Sequence, residues 1–175
     1  MKILNAQGKY KETLSIFENT NGAKGFDLSE DNYLNYFTEW LKALFNTGDY
    51  ETYCSFLNQI LMLESDNPTV KLFACNDLLK VLTLTEQNSS LVYKCLDFLK
   101  DMHKKYPHGK HTVQVINNII FTSLELGEPI PQNLLNDFIP TIPLHPCNTA
   151  TYGLYLIKIK HNAERGLSYY DSAIV

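Results

Sequence analysis

The stretch YLNYFTEWLKALFNTGDYETYCSFLNQIL, Tyr33 to Leu61, indicates the fold class most clearly because it holds two helical patterns separated by a glycine. In its first half, large apolar residues recur at intervals of three and four: Tyr33, Tyr36, Phe37, Trp40, Leu41, Leu44 and Phe45. Such spacing places side chains on one face of an α-helix. After Gly48, a second stripe follows: Tyr50, Tyr53, Cys54, Leu57, Ile60 and Leu61. The stretch therefore predicts a helical hairpin.

Turns of the same kind recur along the chain, at Gly8, Gly48, Asn88 and Gly127, with spacings of 40, 40 and 39 residues. Glycine and asparagine adopt the left-handed conformation that ends a helix most easily. Paired helices with such a period are typical of solenoids. The alternative is an ordinary helical bundle in which permissive turns fall in register by chance.

The predicted fold is all-α, an α-solenoid of stacked antiparallel hairpins with a period of about 40 residues. The hairpins are expected over residues 1–26, 29–66, 69–106, 111–139 and 149–175 of a single array covering 1–175. Both ends stop within a pattern, so we expect the array to be a piece of a longer solenoid. Five of the seven prolines fall between residues 129 and 146. Pro129 and Pro131 fit a first helical turn, but IPTIPLHPCN (Ile139 to Asn148) cannot be continuous helix, and we expect an extended connection there.

Three stretches carry a resemblance to known repeat families. GKYKETLSIF (Gly8 to Phe17) and GDYETYCSFL (Gly48 to Leu57) resemble degenerate tetratricopeptide repeats, with Thr13 and Tyr53 at the position of a small residue. TYGLYLIKIKHNAERGLSYYDSAI, Thr151 to Ile174, is similar to a pentatricopeptide hairpin. The resemblance implies that polar residues in the first helix of each pair contact a partner, here Thr38, Asn76 and Asn117.

One basic cluster stands out on a chain whose formal net charge is -4. Lys104, Lys105 and Lys110 belong to it and are candidate contacts for phosphate or an acidic partner, although plain solvation of an exposed loop is the favoured explanation. Three histidines between residues 103 and 111 lie across a turn that contains Pro107 and Gly109. Zinc requires a fixed geometry, so no metal site is predicted.

Neither a catalytic residue nor a cofactor is predicted, because the chain lacks the nucleophile-elbow, phosphate-loop, dinucleotide and zinc-protease motifs. The expected function is a non-enzymatic scaffold or adaptor that binds a partner protein within a larger complex. The alternative is a pentatricopeptide-like factor that binds single-stranded RNA in mitochondrial gene expression. Net acidity and a single arginine, Arg165, disfavour RNA.

The compartment follows from the cysteines and from the absence of apolar runs. Cys54, Cys75, Cys95 and Cys147 form no CxxC motif and are predicted to be free thiols in a reducing environment. No run approaches eighteen apolar residues, so no transmembrane helix is predicted. We therefore expect an intracellular protein, cytoplasmic or nuclear, with the mitochondrial matrix as the alternative.

Overall fold

The structure, a computed structural model, describes residues 1–20, 22–63, 67–82 and 89–174. These residues contain helices and no β-strand, which confirms the all-α class. The α-helices are α1 (Lys2–Ala6), α2 (Tyr10–Asn19), α3 (Glu30–Asn32), α4 (Thr38–Thr47), α5 (Tyr50–Met62), α6 (Pro68–Leu82), α7 (Ser89–Lys105), α8 (Thr112–Leu126), α9 (Gln132–Phe138), α10 (Pro146–Lys158) and α11 (Ala163–Ala173). The chain divides into two compact units, Met1–Thr85 and Glu86–Val175.

The first unit has an aromatic core. Within it, α1 contacts α2 and α4, α2 packs against α4, and α5 packs against α4 and α6. Phe17, Tyr33 and Phe37 are at most 1% exposed. Burying a large apolar side chain stabilises a fold by about 1.5–3 kcal/mol. Within the apolar stripe, Phe37 and Trp40 contact Phe17 of α2, whereas Tyr33 contacts Phe73 of α6.

A π-helical turn, Tyr33–Phe37, joins α3 to α4 within that stripe. The Thr38 hydroxyl donates to the Tyr33 carbonyl at 3.0 Å, and the Ser29 hydroxyl caps the start of the run by accepting from the Asn32 N–H. Tyr36 lies in this turn and stacks on Phe26 with 4.3 Å between ring centroids. Its side chain is 40% exposed, so the expectation that Tyr36 lies on the buried face was wrong.

Glycines end two of the long helices. Gly48 (φ 80°) follows α4 and Gly127 (φ 70°) follows α8, both in the left-handed region. The next N–H reaches back five residues in each case, from Asp49 to the Leu44 carbonyl and from Glu128 to the Ser123 carbonyl. This is the Schellman pattern, which satisfies carbonyls at the end of a helix. Gly8 also has positive φ, 73°. The fourth predicted turn, Asn88, lies outside the described residues.

The second unit is built from neighbouring helices. In it, α7 packs against α8, α8 against α9 and α10, and α10 against α11. The predicted hairpins 111–139 and 149–175 contain α8 with α9 and α10 with α11, although α10 begins earlier, at Pro146. The predicted hairpin 69–106 crosses the boundary between the two units, and its connection 83–88 is not described. That pairing stays a prediction.

The stretch Ile139 to Asn148 is not one continuous helix, as expected, because His145 is extended between two helices. The expected extended connection was nevertheless wrong. Ile139–Leu144 forms a 3-10 helix between α9 and α10. Proline's fixed φ suits such a helix. The Thr141 hydroxyl donates to the Phe138 carbonyl at 2.7 Å, and the Thr149 hydroxyl donates to the Ile142 carbonyl at 2.8 Å.

Two glycines bring α10 and α11 into close contact. A Cβ added at Gly166 would lie 2.7 Å from the carbonyl oxygen of Gly153, and one added at Gly153 would lie 2.7 Å from the carbonyl oxygen of Gly166. The Asn162 side chain caps α11 by accepting from the Arg165 N–H at 3.0 Å. The Asn162 cap and the two glycines together stabilise the close packing of α10 against α11.

The described cysteines are free thiols with different environments. Cys75 and Cys95 are buried, Cys54 is half-buried and Cys147 is exposed. Burial raises the pKa of the Cys54 thiol. Across the helices that the structure describes, none is both long enough and apolar enough to span a bilayer.

Candidate functional site

The three polar residues predicted to contact a partner differ in availability. Thr38 on α4 is half-buried and its hydroxyl is bonded within its own helix. Asn76 on α6 is also half-buried. Asn117 on α8 is 8% exposed; its Nδ2 donates to Asn118 at 3.3 Å, and its Oδ1 finds no hydrogen-bond partner among the described residues. The structure gives none of the three a prominent surface position, and their role stays a prediction.

The predicted basic residues surround the α7–α8 turn. Lys104 and Lys105 lie in the last turn of α7, Lys110 lies in the following turn, and all three are exposed. Cations at a helix C-terminus are stabilised by the helix dipole, which gives Lys104 and Lys105 a structural role without any ligand. His103 in the same turn of helix has a buried Nδ1 without a partner among the described residues. Among the described residues, no three histidine, cysteine, aspartate or glutamate side chains lie close enough together to hold a metal ion.

Sequence reasoning missed a buried polar cluster centred on Asp77. The Tyr33 hydroxyl donates to the Asp77 carboxylate at 2.8 Å, and the Tyr53 hydroxyl donates to the Asp77 carbonyl at 3.0 Å. Lys80 pairs with the same carboxylate at 2.6 Å. Asp77 is 8% exposed, and its only signal in the sequence is an acid on the apolar face of α6. These contacts connect the π turn, α5 and α6.

The phenols of this cluster are held in their neutral form. Burial, followed by the Asp77 carboxylate, raises the pKa of Tyr33 well above the usual range. Burial and then Asp77 raise the pKa of Tyr53 in the same direction. A neutral phenol donates the hydrogen bond that the cluster needs, whereas a phenolate would add a second buried negative charge. The cluster is therefore a structural connection that depends on protonated tyrosine.

This cluster predicts loss of stability in alkali. Because Tyr33 and Tyr53 have pKa values above the ordinary 10.0 in the folded chain, the unfolded chain releases these protons first as pH rises. The contribution of these two tyrosines to the free energy of unfolding is fully present below about pH 10. Above that pH the free energy of unfolding falls by about 1.4 kcal/mol per pH unit for each tyrosine. Urea denaturation at several alkaline pH values measures the slope. Tyr53→Phe is expected to reduce it, and the exposed control Tyr106→Phe is expected to leave it unchanged; equal slopes would contradict the assignment.

A surface groove lies between α4 and α5 in the first unit. Its volume is about 340 Å³ and its lining comprises Trp40, Glu51, Thr52, Ser55, Phe56 and Gln59. Trp40 stacks on Phe17 of α2 with 4.5 Å between ring centroids and meets the edge of Phe56 at 4.8 Å. Trp40 is 9% exposed and is therefore buried where α2, α4 and α5 meet. The groove beside it was not predicted.

The lining divides into a floor and a rim. Trp40 is buried and Phe56 half-buried, so these aromatic side chains form the floor. The other four lining side chains belong to α5 and are exposed, so they form a rim of hydroxyl, amide and carboxylate groups. Asp49 caps α5 at the same end as Glu51, accepting from the Thr52 N–H at 3.1 Å. The groove offers hydrogen-bonding groups and negative charge above a small apolar floor, because Trp40 is 9% exposed.

The net charge of the chain belongs to the unit that carries this groove. Residues 1–85 contain 7 basic and 11 acidic residues, a net charge of -4, whereas residues 86–175 contain 8 of each. A field of one sign steers ligands of the opposite sign. Comparison with known proteins gives no relative from which a role could be transferred: no family model, no characterised protein and no solved structure matches this chain.

Proposed function

We propose that this chain is a non-catalytic helical-repeat adaptor that holds a partner polypeptide within a larger assembly, with the α4–α5 groove as a contact site. The observation that carries this proposal is the aromatic floor of Trp40 and Phe56 under a polar rim. Protein interfaces concentrate their binding energy in such desolvated aromatic centres, surrounded by polar groups that exclude water.

The repeat class is part of the same proposal. Within each unit the helices pack on neighbours in the chain, as hairpins of tetratricopeptide or pentatricopeptide type do. Gly8 and Gly48, forty residues apart, both have left-handed backbone after a helix. These features support a degenerate repeat with a period of about 40 residues.

Single-stranded RNA is the weaker alternative. Affinity for RNA depends on cations that neutralise phosphate, and the first unit carries a net charge of -4. The candidate phosphate contacts Lys104, Lys105 and Lys110 lie in the second unit, which is neutral overall. Thr38, a candidate base contact, already uses its hydroxyl within its helix.

The proposal is tested by selecting short peptides from a randomised displayed library against the purified chain. Ser55→Trp fills the groove from an exposed position of α5, and Ser168→Trp makes the same change at an exposed position of α11. We expect selected peptides to bind Ser168→Trp like the wild type and to lose at least about tenfold in affinity for Ser55→Trp, or about 1.4 kcal/mol. Peptides that bind both variants equally would show that this groove is not the contact site.

A binding experiment with RNA distinguishes the adaptor function from the RNA-binding alternative. Fluorescence anisotropy with single-stranded RNA of mixed sequence at physiological salt is expected to show no micromolar binding. Micromolar binding that Lys104→Ala, Lys105→Ala and Lys110→Ala together abolish would overturn the adaptor proposal. In that case each lost phosphate contact should reduce the salt slope of log affinity by about 0.7.

A further inference from the structure

The shape of the α4–α5 groove restricts the conformation of its occupant. The α5 residues that line it, at positions 51, 52, 55, 56 and 59, lie on one face over two turns, a length of about 12 Å. The backbone of α5 is hydrogen-bonded within the helix, and the described residues offer no strand edge. An extended peptide would find few main-chain partners there, whereas a helical peptide satisfies its own backbone.

The floor of the groove defines the anchor of that peptide. Phe17 holds the Trp40 ring from behind, so Trp40 cannot move without disturbing the core of the first unit. The ring of Phe56 stands at 84° to that of Trp40 and closes the other side. A rigid aromatic corner of this kind favours a large apolar side chain, because little side-chain freedom is lost on binding.

The rim of the groove selects charge. Glu51 is exposed and lines the groove, and the ion pairs between described residues, Lys80–Asp77 and Lys158–Glu125, leave it without a cation. The dipole at the N-terminus of α5 is worth about half a positive charge, which the carboxylates of Asp49 and Glu51 outweigh. This end of the groove is therefore negative, like the unit that contains it.

From these three features we infer that the groove takes an amphipathic, basic helix of a partner protein, with a large apolar anchor over Trp40 and Phe56 and a lysine or arginine next to Glu51. The inference rests on the proposed adaptor function and adds to it the conformation and charge of the bound segment. An acidic or neutral peptide would bring no compensating charge to Glu51, so electrostatic complementarity disfavours it.

The test uses peptides selected from the displayed library, resynthesised with each lysine or arginine exchanged for glutamate. We expect basic peptides to bind the full chain more tightly than their acidic counterparts, with a difference that shrinks as salt is raised. Glu51→Lys is expected to weaken the basic peptides by about three- to tenfold and to strengthen the acidic ones. The matched control is Glu12→Lys, since Glu12 is also an exposed acid in the first turn of its helix, α2, but does not line the groove.

The outcomes separate the two proposals. If peptides depend on the groove, as judged by Ser55→Trp, but bind equally with either charge, the basic-helix inference is overturned and the adaptor function stands. The inference is also overturned if Glu51→Lys and Glu12→Lys have equal effects. If no selected peptide distinguishes Ser55→Trp from the wild type, both proposals fail at this site. Circular dichroism of the bound peptide must also show helix, and an unstructured bound peptide would overturn the inference.

Discussion

Trp40→Ala is expected to lower the free energy of unfolding by about 3–5 kcal/mol. The indole is 9% exposed and contacts Phe17 on α2 and Phe56 on α5, so its removal leaves a cavity where three helices meet. Aromatic pairs add about 0.5–1.5 kcal/mol beyond the area that they bury. The cost is high because the surrounding rings are held by further contacts and cannot collapse into the space.

Urea denaturation followed by far-ultraviolet circular dichroism measures this change, because Trp40 is the single tryptophan and its fluorescence disappears with it. Leu34→Ala is the control, since Leu34 belongs to the same helical run but is 49% exposed. Its cost is expected to stay below about 1 kcal/mol. A Trp40→Ala chain that unfolds at the same urea concentration as the wild type would remove Trp40 from the core.

Gly166→Ala is expected to destabilise the second unit by about 2 kcal/mol, although alanine stabilises the interior of a helix by about 1 kcal/mol over glycine. The added methyl group would lie 2.7 Å from the Gly153 carbonyl oxygen, and real Cβ atoms essentially never show a contact under 3.0 Å. It would lie closer still to the Ile157 side chain, so both the backbone and a side chain of α10 obstruct it. The two helices must therefore separate along their contact.

Amide hydrogen exchange measures this effect where it occurs. Protection of α11 is expected to fall, while protection of α4 in the first unit is expected to remain. Ser168→Ala, at an exposed position of the same helix, is the control and should change stability by less than about 0.5 kcal/mol. A Gly166→Ala chain that is more stable than the wild type would falsify the close-packed α10–α11 contact.

The helical class and several turns could be predicted from the sequence because they depend on local interactions. The spacing of Phe37, Trp40, Leu41 and Leu44 predicts a buried helical face, and all four are buried. A left-handed helix end strongly favours glycine, so Gly48 and Gly127 mark real helix ends. Each of these features involves residues within a few positions of one another, so the order of the amino acids is enough to predict it.

Local patterns failed where two local preferences compete. The spacing of Tyr36 fits the buried stripe, but its side chain is 40% exposed. The prolines of the stretch 139–148 predicted an extended connection, but Ile139–Leu144 forms a 3-10 helix, whose φ values suit proline. Neither the exposure of Tyr36 nor the 3-10 turn has a periodic signature in the sequence.

The secondary structure class, the apolar faces and the negative charge of residues 1–85 all follow from the order of the amino acids. The meeting of Tyr33 and Tyr53 at Asp77, and the groove that Trp40 and Phe56 border together, depend instead on how the helices pack. The two kinds of feature differ in the range of the interactions that set them. Helical periodicity is set by hydrogen bonds four residues apart, whereas a groove depends on the rotation and spacing of packed helices to within about an ångström, which every side chain between them helps to set.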